Sequence, residues 1–356
     1  MFRPPRCPNR GCTNHRKPAR HFYIRHGSYL PKCRNRPVPR FRCRSCRRTF
    51  SRQTFRMDYR DHKPHLNRVV FDFIVSGVGL RQSARKLGLS RKCTELKFRK
   101  IGRQLRHLNL NLRRPVAEIK ALLFDEFETF EGRRNTRPLS VPTLVERSSY
   151  FVLWAESASI RPRGRMSKIR AAAVRAETAR YGPRKDRSRR ASIRTMQKSI
   201  GMLRGHKTVL LQTDKKSSYG PIARAVFGKQ RLVHERTDSK LARFAWNPLF
   251  PINHTEARLR DQLGRLHRES WLASKRGWCL NLALHFVIAN NNFVRKRFNT
   301  DESDVSPAQV LGLTERRLTV NELLSWRQDW RERSIMPGAI STYSVADWRA
   351  QGAVAA

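Results

Sequence analysis

The chain has 356 residues, of which 76 are Lys or Arg and 27 are Asp or Glu, so its formal net charge at pH 7 is +49. This charge predicts a polyanionic partner, and nucleic acid leads because attraction to phosphate needs no particular sequence. The composition argues against a membrane protein, since no apolar run reaches about 18 residues, and against a disordered basic tail, since aromatic and aliphatic residues continue nearly to the end. We therefore expect a cytoplasmic protein with a buried core.

Cysteines concentrate near the start of the chain, where five of the seven lie within the first 46 residues. Four of them form two closely spaced pairs, Cys7 with Cys12 and Cys43 with Cys46. Such spacing lets both thiolates of a pair reach one tetrahedral Zn²⁺. We predict a zinc ribbon over residues 1–60, in which the metal is structural because the core is small.

Two further residues and one alternative bear on this prediction. Cys33 could replace one of the four thiols, and His15 is a weaker substitute. The alternative is a set of free thiols in a reducing compartment. Two facing pairs favour zinc over that alternative.

Residues 61–105 predict a helix-turn-helix unit. Apolar residues recur at helical spacing from Leu66 to Val75, Gly88 permits a tight turn, and Ser90 can cap the helix that follows. That helix is expected to expose the side chains that contact DNA, namely Arg91, Lys92, Thr94, Glu95 and Lys97. The alternative is an ordinary helical hairpin with a solvated basic face.

After a basic connector, the pattern changes to strands. We predict strands at residues 119–127, 139–145, 150–157 and 208–214. Between the last two lies an Arg-rich segment, residues 161–200, with 14 Lys and Arg against two acids. It indicates either a helix that lies along DNA or a solvated basic helix.

Two of these strands carry Asp125 and Asp214 at or near their ends. If both strands belong to one sheet, the carboxylates meet, and carboxylate oxygens are the ligands that Mg²⁺ prefers. Two such ions about 4 Å apart can activate a water or a 3′-hydroxyl for attack on phosphorus. Strand alternation places the neighbouring acids Glu126 and Glu128 on the opposite face from Asp125.

The third ligand is expected at the start of a helix that contains Asn253 and Glu256, three residues apart. Glu256 is favoured because its charge offsets the metal charge, while Asn253 is a neutral oxygen ligand. The alternatives are structural. Glu256 would then be a helix acid paired with Arg260, and Asp214 a turn or capping residue.

The sequence resembles bacterial insertion-sequence transposases of the Asp-Asp-Glu or Asp-Asp-Asn type. Residues 40–51, Arg-Phe-Arg-Cys-Arg-Ser-Cys-Arg-Arg-Thr-Phe-Ser, are similar to the zinc ribbon that precedes a helix-turn-helix in several such groups. Residues 253–260, continuing through 265–268 and 271–275, are similar to their final catalytic helix. Asp125 and Asp214 match the first two acids, and the third is Glu256 or Asn253.

The resemblance implies an RNase H-like catalytic domain, cleavage at the ends of a mobile element with Mg²⁺ or Mn²⁺, and transfer of the strand into target DNA. It also implies a homo-oligomer on double-stranded DNA in the bacterial nucleoid. The predicted fold class is multidomain α+β. Its parts are a zinc ribbon (1–60), a helix-turn-helix (61–105), the RNase H-like α/β domain (115–298, with insertion 161–200) and a small helical C-terminal appendage (299–356).

Three functions fit these features. A transposase predicts metal-dependent cleavage and joining. A sequence-specific DNA-binding regulator predicts the same affinity without chemistry, and is favoured if Asp125 and Asp214 lie far apart. A nuclease or a decayed transposase copy is the third. In the appendage, Trp326 and Trp330 lie on one helical face and are expected to pack rather than to stack on bases.

Overall fold

The computed structural model describes residues 2–31, 36–111, 115–242, 244–267, 272, 274–300 and 302–326. Cys33, Trp330, most of 268–273 and the appendage beyond 326 lie outside the described residues. The described residues form two compact units, one of residues up to 69 with residues 321–326, and one of residues 70–320. The architecture is mixed α/β, with a mixed sheet and a cluster of four cysteines near the N-terminus.

The first unit holds a small antiparallel sheet. A short helix α1 (Thr13–Arg16) precedes strands β1 (Tyr23–Tyr29), β2 (Val38–Cys43) and β3 (Thr49–Ser51), which pair in that order. Phe41 and Phe50 are directly opposite on β2 and β3, and their rings lie 6.0 Å apart. With Phe22 and the cysteines they form the core of this unit.

Three helices follow: α2 (Leu66–Val75), α3 (Leu80–Lys86) and α4 (Arg91–Asn111). The turn before α4 depends on Gly88, whose φ of +57° is a conformation that a side chain disfavours. Ser90 Oγ accepts a hydrogen bond of 3.1 Å from the Cys93 N–H, so the predicted cap of α4 is confirmed. The apolar stripe of α4 is fully buried and consists of Phe98, Ile101, Leu105 and Leu108.

The main sheet belongs to the second unit. Its strands are β4 (Leu122–Phe130), β5 (Pro138–Glu146), β6 (Val152–Ala155), β7 (Ala158–Ser159), β8 (Val209–Asp214) and β9 (Leu232–Thr237). The order is β6-β5-β4-β8-β9, with β7 paired to β5. β4 is antiparallel to β5, and β8 and β9 are parallel to β4. Each predicted strand is present with altered ends, because pairing sets the limits: the β4–β5 ladder runs from Leu122↔Glu146 to Phe130↔Pro138.

The remaining helices are α5 (Lys168–Tyr181), α6 (Ser188–Gln197), α7 (Tyr219–Phe227), α8 (Phe250–Gln262), α9 (Gly277–Ala289), α10 (Pro307–Val310) and α11 (Val320–Ser325). The Arg-rich segment 161–200 thus contains two helices of different character. α6 packs on β5 and buries Ala191 and Met196, whereas α5 buries none of its residues over its fully described length.

Helix α9 connects the preceding helices with the sheet. Phe286 stacks between Phe71 and Phe98, with ring centroids 5.6 and 5.4 Å away. Just beyond α9, the Asn292 side chain accepts from the Val152 N–H and donates to the Val152 carbonyl, both at 2.9 Å, and so satisfies the edge of β6. Among the described residues, no helix is both long and apolar enough to span a membrane.

Candidate functional site

Asp125 and Asp214 lie side by side in the sheet. β4 pairs with β8 in parallel, with Leu122 opposite Leu211 and Leu123 opposite Gln212. Continuing this register by two residues brings Asp125 beside Asp214, the last residue of β8. Side chains at matching positions of parallel strands leave the same face of the sheet. Both aspartates are half-buried, and the sheet therefore holds two carboxylates together at its surface.

The surroundings of Asp125 disfavour its charge. Burial raises the pKa of Asp125, and the negative charges of Asp214 and Glu126 raise it further. Two hydrogen bonds act in the opposite direction, from the Glu126 N–H at 2.7 Å and the Tyr219 hydroxyl at 3.3 Å. Asp214 accepts a bond of 2.9 Å from the Lys216 N–H. A proton or a cation between the two carboxylates relieves this repulsion.

Helix α8 lies along the same face of β4. Ile252 belongs to a buried cluster with Leu123, and the Arg260 guanidinium lies 4.7 Å from the centre of the Phe127 ring. Leu123 and Phe127 flank Asp125 on its own face, because side chains alternate along a strand. The helix therefore runs beside the strand in a register that passes over Asp125.

Glu256 and Asn253 both lie on the edge of α8 that carries Arg260. Glu256 is one turn before Arg260, and Asn253 is two turns before it. Glu256 is buried, with Oε2 3.6 Å from an Arg260 nitrogen, while Asn253 is half-buried. Both side chains thus lie on one edge of α8.

Glu126 follows Asp125 on the strand and shares one hydrogen-bond partner, Tyr219, with it. Its carboxylate accepts from the hydroxyls of Ser140 (3.2 Å), Ser192 (2.8 Å) and Tyr219 (3.4 Å), and forms an ion pair with Lys216. Tyr219 therefore bridges Glu126 and Asp125. Neither Tyr219 nor Lys216 lies in a recognisable sequence motif, so their positions beside these acids were not predicted.

Glu131 also has a structural role. Its carboxylate accepts from the Gly277 N–H at 2.6 Å and pairs with Arg184 at 3.1 Å. These contacts join the end of β4 to the start of α9. Glu128 is exposed. The sequence cluster of four acids thus divides, and among them only Asp125 matches Asp214 in strand register.

The four predicted cysteines converge in the first unit. Cys7 Sγ lies 3.5 Å from Cys46 Sγ, Cys12 Sγ lies 3.8 Å from Cys43 Sγ, and all four sulfurs are within 4.8 Å of one another. Zn–S bonds of about 2.3 Å in a tetrahedron put sulfurs roughly 3.8 Å apart. The cluster therefore fits a structural zinc ion.

Local hydrogen bonds favour ionisation of one of these thiols, whereas burial raises the pKa of Cys7. Burial opposes ionisation of Cys46, but the Arg48 N–H and the neighbouring side chains lower the pKa of Cys46 to about 7. His15 Nδ1 lies 2.8 Å from the Cys7 carbonyl oxygen, so His15 supports the loop rather than the sulfur group. Across the described parts of the chain, no other set of three or more His, Cys, Asp or Glu ligands lies within 4.8 Å of one another. Asp125, Asp214 and Glu256 are therefore spaced more widely than the cysteines.

The predicted DNA-contacting side chains of α4 fall into two sets. Arg91 and Lys92 are exposed and Glu95 is half-buried in an ion pair with Arg99. The predicted exposure of Thr94 and Lys97 is wrong, since both are buried. They extend the inward stripe of α4 by one turn, and Thr94 Oγ1 donates back to the Ser90 carbonyl at 3.2 Å.

The sequence matches neither a model of a known protein family nor a curated protein. The basis for a function is therefore the arrangement of the chain's own residues. Two features stand out: the aspartate pair with the edge of α8 beside it, and the four-cysteine cluster.

Proposed function

We propose that this protein is a transposase that binds the ends of a mobile DNA element and catalyses strand cleavage and strand transfer. The single observation that carries the proposal is the position of Asp125 beside Asp214 on parallel strands. A mixed sheet flanked by helices is compatible with the RNase H-like domain implied by the sequence resemblance. The net charge of +49 supports DNA as the partner.

The donor set fits hard divalent cations, because carboxylate and amide oxygens are their preferred ligands. Asp125 and Asp214 would hold Mg²⁺ or Mn²⁺, with Glu256 or Asn253 as the third ligand. The bound ions would supply activation of the attacking hydroxyl and stabilisation of the leaving oxygen. Tyr219 orients the Asp125 carboxylate through its hydroxyl. Burial and the charge of Asp214 raise the pKa of Asp125, and that charge also favours cation binding.

The N-terminal elements would recognise the DNA. The cysteine cluster supports a zinc ribbon, and α3 with α4 supports a helix-turn-helix in which Arg91 and Lys92 contact phosphates or bases. Strand transfer requires two element ends to be held together, so a homo-oligomer on double-stranded DNA in the bacterial nucleoid is part of the proposal.

The aspartate geometry also bears on the other functions. A DNA-binding regulator has no need for two adjacent, repelling carboxylates, and the adjacency of Asp125 and Asp214 therefore favours an enzyme. A general nuclease has little need for the N-terminal elements. A nuclease differs from a transposase by releasing its product without joining it to a second duplex.

The test is an assay of strand cleavage and joining with Mg²⁺ or Mn²⁺ on duplexes that carry the sequences flanking this gene. Asp125→Asn and Asp214→Asn are expected to lose both products. Asn253→Ala and Glu256→Gln are compared, and the variant that loses activity identifies the third ligand. Glu128→Gln is the matched control, because this exposed acid lies on the same strand.

Each outcome distinguishes one function from the others. Joined product that disappears in both aspartate variants and persists in Glu128→Gln supports the transposase. Cleavage without joining supports the nuclease. DNA binding without product from the wild-type protein would contradict the proposal and support the regulator or a decayed copy.

A further inference from the structure

A large basic cavity lies beyond the end of β4, between α5, β7 and the start of α9. Its volume is about 840 Å³, within the range of ligand pockets. Its lining carries six cations against two acids, Glu131 and Glu177. The cations are Arg137, Arg161, Arg184, Lys185, Arg187 and Arg194. The cavity therefore suits an anionic ligand.

Some of these cations hold the walls of the cavity together. Arg184 donates to the Ile160 and Pro138 carbonyls, both at 3.0 Å, and pairs with Glu131. Arg137 lies between Glu131 and Glu177, at 3.7 and 3.6 Å. These ion pairs account for both acids of the lining.

Other cations remain available to a ligand. Arg161, Lys185 and Arg187 are exposed, and none of them takes part in the ion pairs formed among the described residues. The two acids of the cavity do not balance the charge of these three cations, because Arg137 and Arg184 already pair with those acids. Phosphate groups would neutralise them.

Two aromatic side chains also line the cavity. Tyr181, the last residue of α5, is 60% exposed, and Trp278 near the start of α9 is 38% exposed. Arginines accompany both rings, with Arg137 at 5.7 Å from the Tyr181 centroid and Arg99 at 4.8 Å from that of Trp278. Exposed aromatic rings and cations that line one cavity are the combination that binds bases and phosphates of a single strand.

Helix α5 has no protein core beneath it. Its inward stripe consists of Val174, Glu177, Thr178 and Tyr181, at helical spacing, and all four line the cavity. On its outer side Ile169 is 84% exposed. Most helices in globular proteins are stabilised by packing of one face. Here that face borders an open cavity, so a ligand in the cavity would supply the missing contact.

We propose that this cavity binds a segment of single-stranded nucleic acid, with bases against Tyr181 and Trp278 and phosphates at Arg161, Lys185 and Arg187. A single strand fits better than a duplex because stacked base pairs hide the base faces that aromatic side chains contact. The proposal rests on the proposed function only for the source of the strand, which would be the one released by cleavage.

The position of the cavity suits that source. Glu131 follows Asp125 by six residues along extended chain, or roughly 20 Å. A strand released at the aspartate pair would thus have to extend by roughly 20 Å to reach the cavity.

The test is photo-crosslinking of the full-length protein, without added Mg²⁺ or Mn²⁺, to an oligodeoxythymidine of about 16 nucleotides that carries 5-iodouracil. Mass spectrometry of the adducts is expected to find Tyr181 and Trp278. Adducts only elsewhere, for example at Trp246, which is 68% exposed and outside the cavity, would overturn the proposal.

Affinities give an independent readout by fluorescence anisotropy at fixed salt. Tyr181→Ala and Trp278→Ala are each expected to weaken single-strand binding about tenfold, with little change for a duplex of the same length. Tyr181→Phe keeps the ring and is expected to bind like wild type, as is the matched control Trp246→Ala. Equal losses for single strand and duplex would assign the cavity to duplex DNA and contradict the proposal.

Failure of this proposal and failure of the proposed function are separable. Binding is measured without added Mg²⁺ or Mn²⁺, so Asp125→Asn is expected to crosslink at Tyr181 as the wild type does. Crosslinks in the cavity of a wild-type protein that shows no cleavage activity would support the cavity proposal and contradict the transposase. Cleavage and joining without crosslinks in the cavity would retain the transposase and reject the cavity.

Discussion

Asp125 and Asp214 occupy neighbouring positions on two parallel strands, and the charge of Asp214 raises the pKa of Asp125 beyond the effect of burial. A fold that only needed stability would separate these carboxylates or pair each with a cation. Their adjacency costs the metal-free protein stability and creates affinity for a cation. This relation yields the first prediction.

Asp125→Asn is expected to raise the melting temperature of the metal-free protein by a few degrees at neutral pH. The raised pKa means that the folded state of the wild type binds this proton more tightly than the unfolded state. Its unfolding free energy therefore falls as pH rises from the unfolded value of about 3.9 through the folded pKa, and is highest below both. Asparagine does not titrate, so the unfolding free energy of Asp125→Asn does not fall for this reason.

Thermal melts without added Mg²⁺ across a pH series check this prediction, and melts with Mg²⁺ supply a second arm. Mg²⁺ is expected to stabilise the wild type and to have less effect on Asp125→Asn. Glu128→Gln should follow the wild type in both arms. An Asp125→Asn variant that melts below the wild type without Mg²⁺ would show that repulsion between the two carboxylates does not destabilise the protein.

The cysteine cluster predicts about one bound zinc per chain, measurable by elemental mass spectrometry. Cys43→Ser is expected to lose most of this zinc and to unfold the first unit, whose small core includes the cysteines. Cys93→Ser is the matched control because this thiol lies outside the cluster. Equal zinc content in all three proteins would contradict the site.

Glu131→Ala is expected to lower the free energy of unfolding by about 1–3 kcal/mol, because the Gly277 N–H and Arg184 lose a charged acceptor. Glu128→Ala removes an exposed acid of the same strand and should change it by less than about 0.5 kcal/mol. Urea denaturation measures both. Similar values for the two variants would show that Glu131 does not join β4 to α9.

Gly264→Ala is expected to destabilise the second unit by about 1–3 kcal/mol or more. A Cβ at this position would lie 2.3 Å from the Gly77 carbonyl oxygen and 2.7 Å from Leu272 Cδ1. Gly220→Ala meets its nearest atom only at 3.6 Å and should be tolerated. Thermal unfolding compares the two, and an unaffected Gly264→Ala would rule out the close approach of the backbones.

Local patterns predicted several features well. The Cys43 and Cys46 spacing predicted a metal cluster, and the serine before α4 predicted its cap. Both depend on residues close in sequence, whose relative positions are limited by the backbone. Strand positions were also predicted, although their ends were not, since a ladder ends where its partner ends.

The faces of helices were predicted less well. Thr94 and Lys97 are polar, and a polar residue near the start of a basic helix is expected to be exposed. They are buried because the stripe of α4 that packs in the unit reaches one turn further than its apolar residues indicate. In the same way, composition did not distinguish α6, which packs on the sheet, from α5, which does not.

The sequence by itself determined the charge, the cysteine pairs, the strands and the two aspartates, because each is encoded in composition or short-range spacing. Only the tertiary structure decided which acids share a face, that Tyr219 bridges Asp125 and Glu126, and that Arg-rich residues enclose a cavity. These relations join residues far apart in the chain. Their distances depend on strand register and helix packing, which no local pattern specifies.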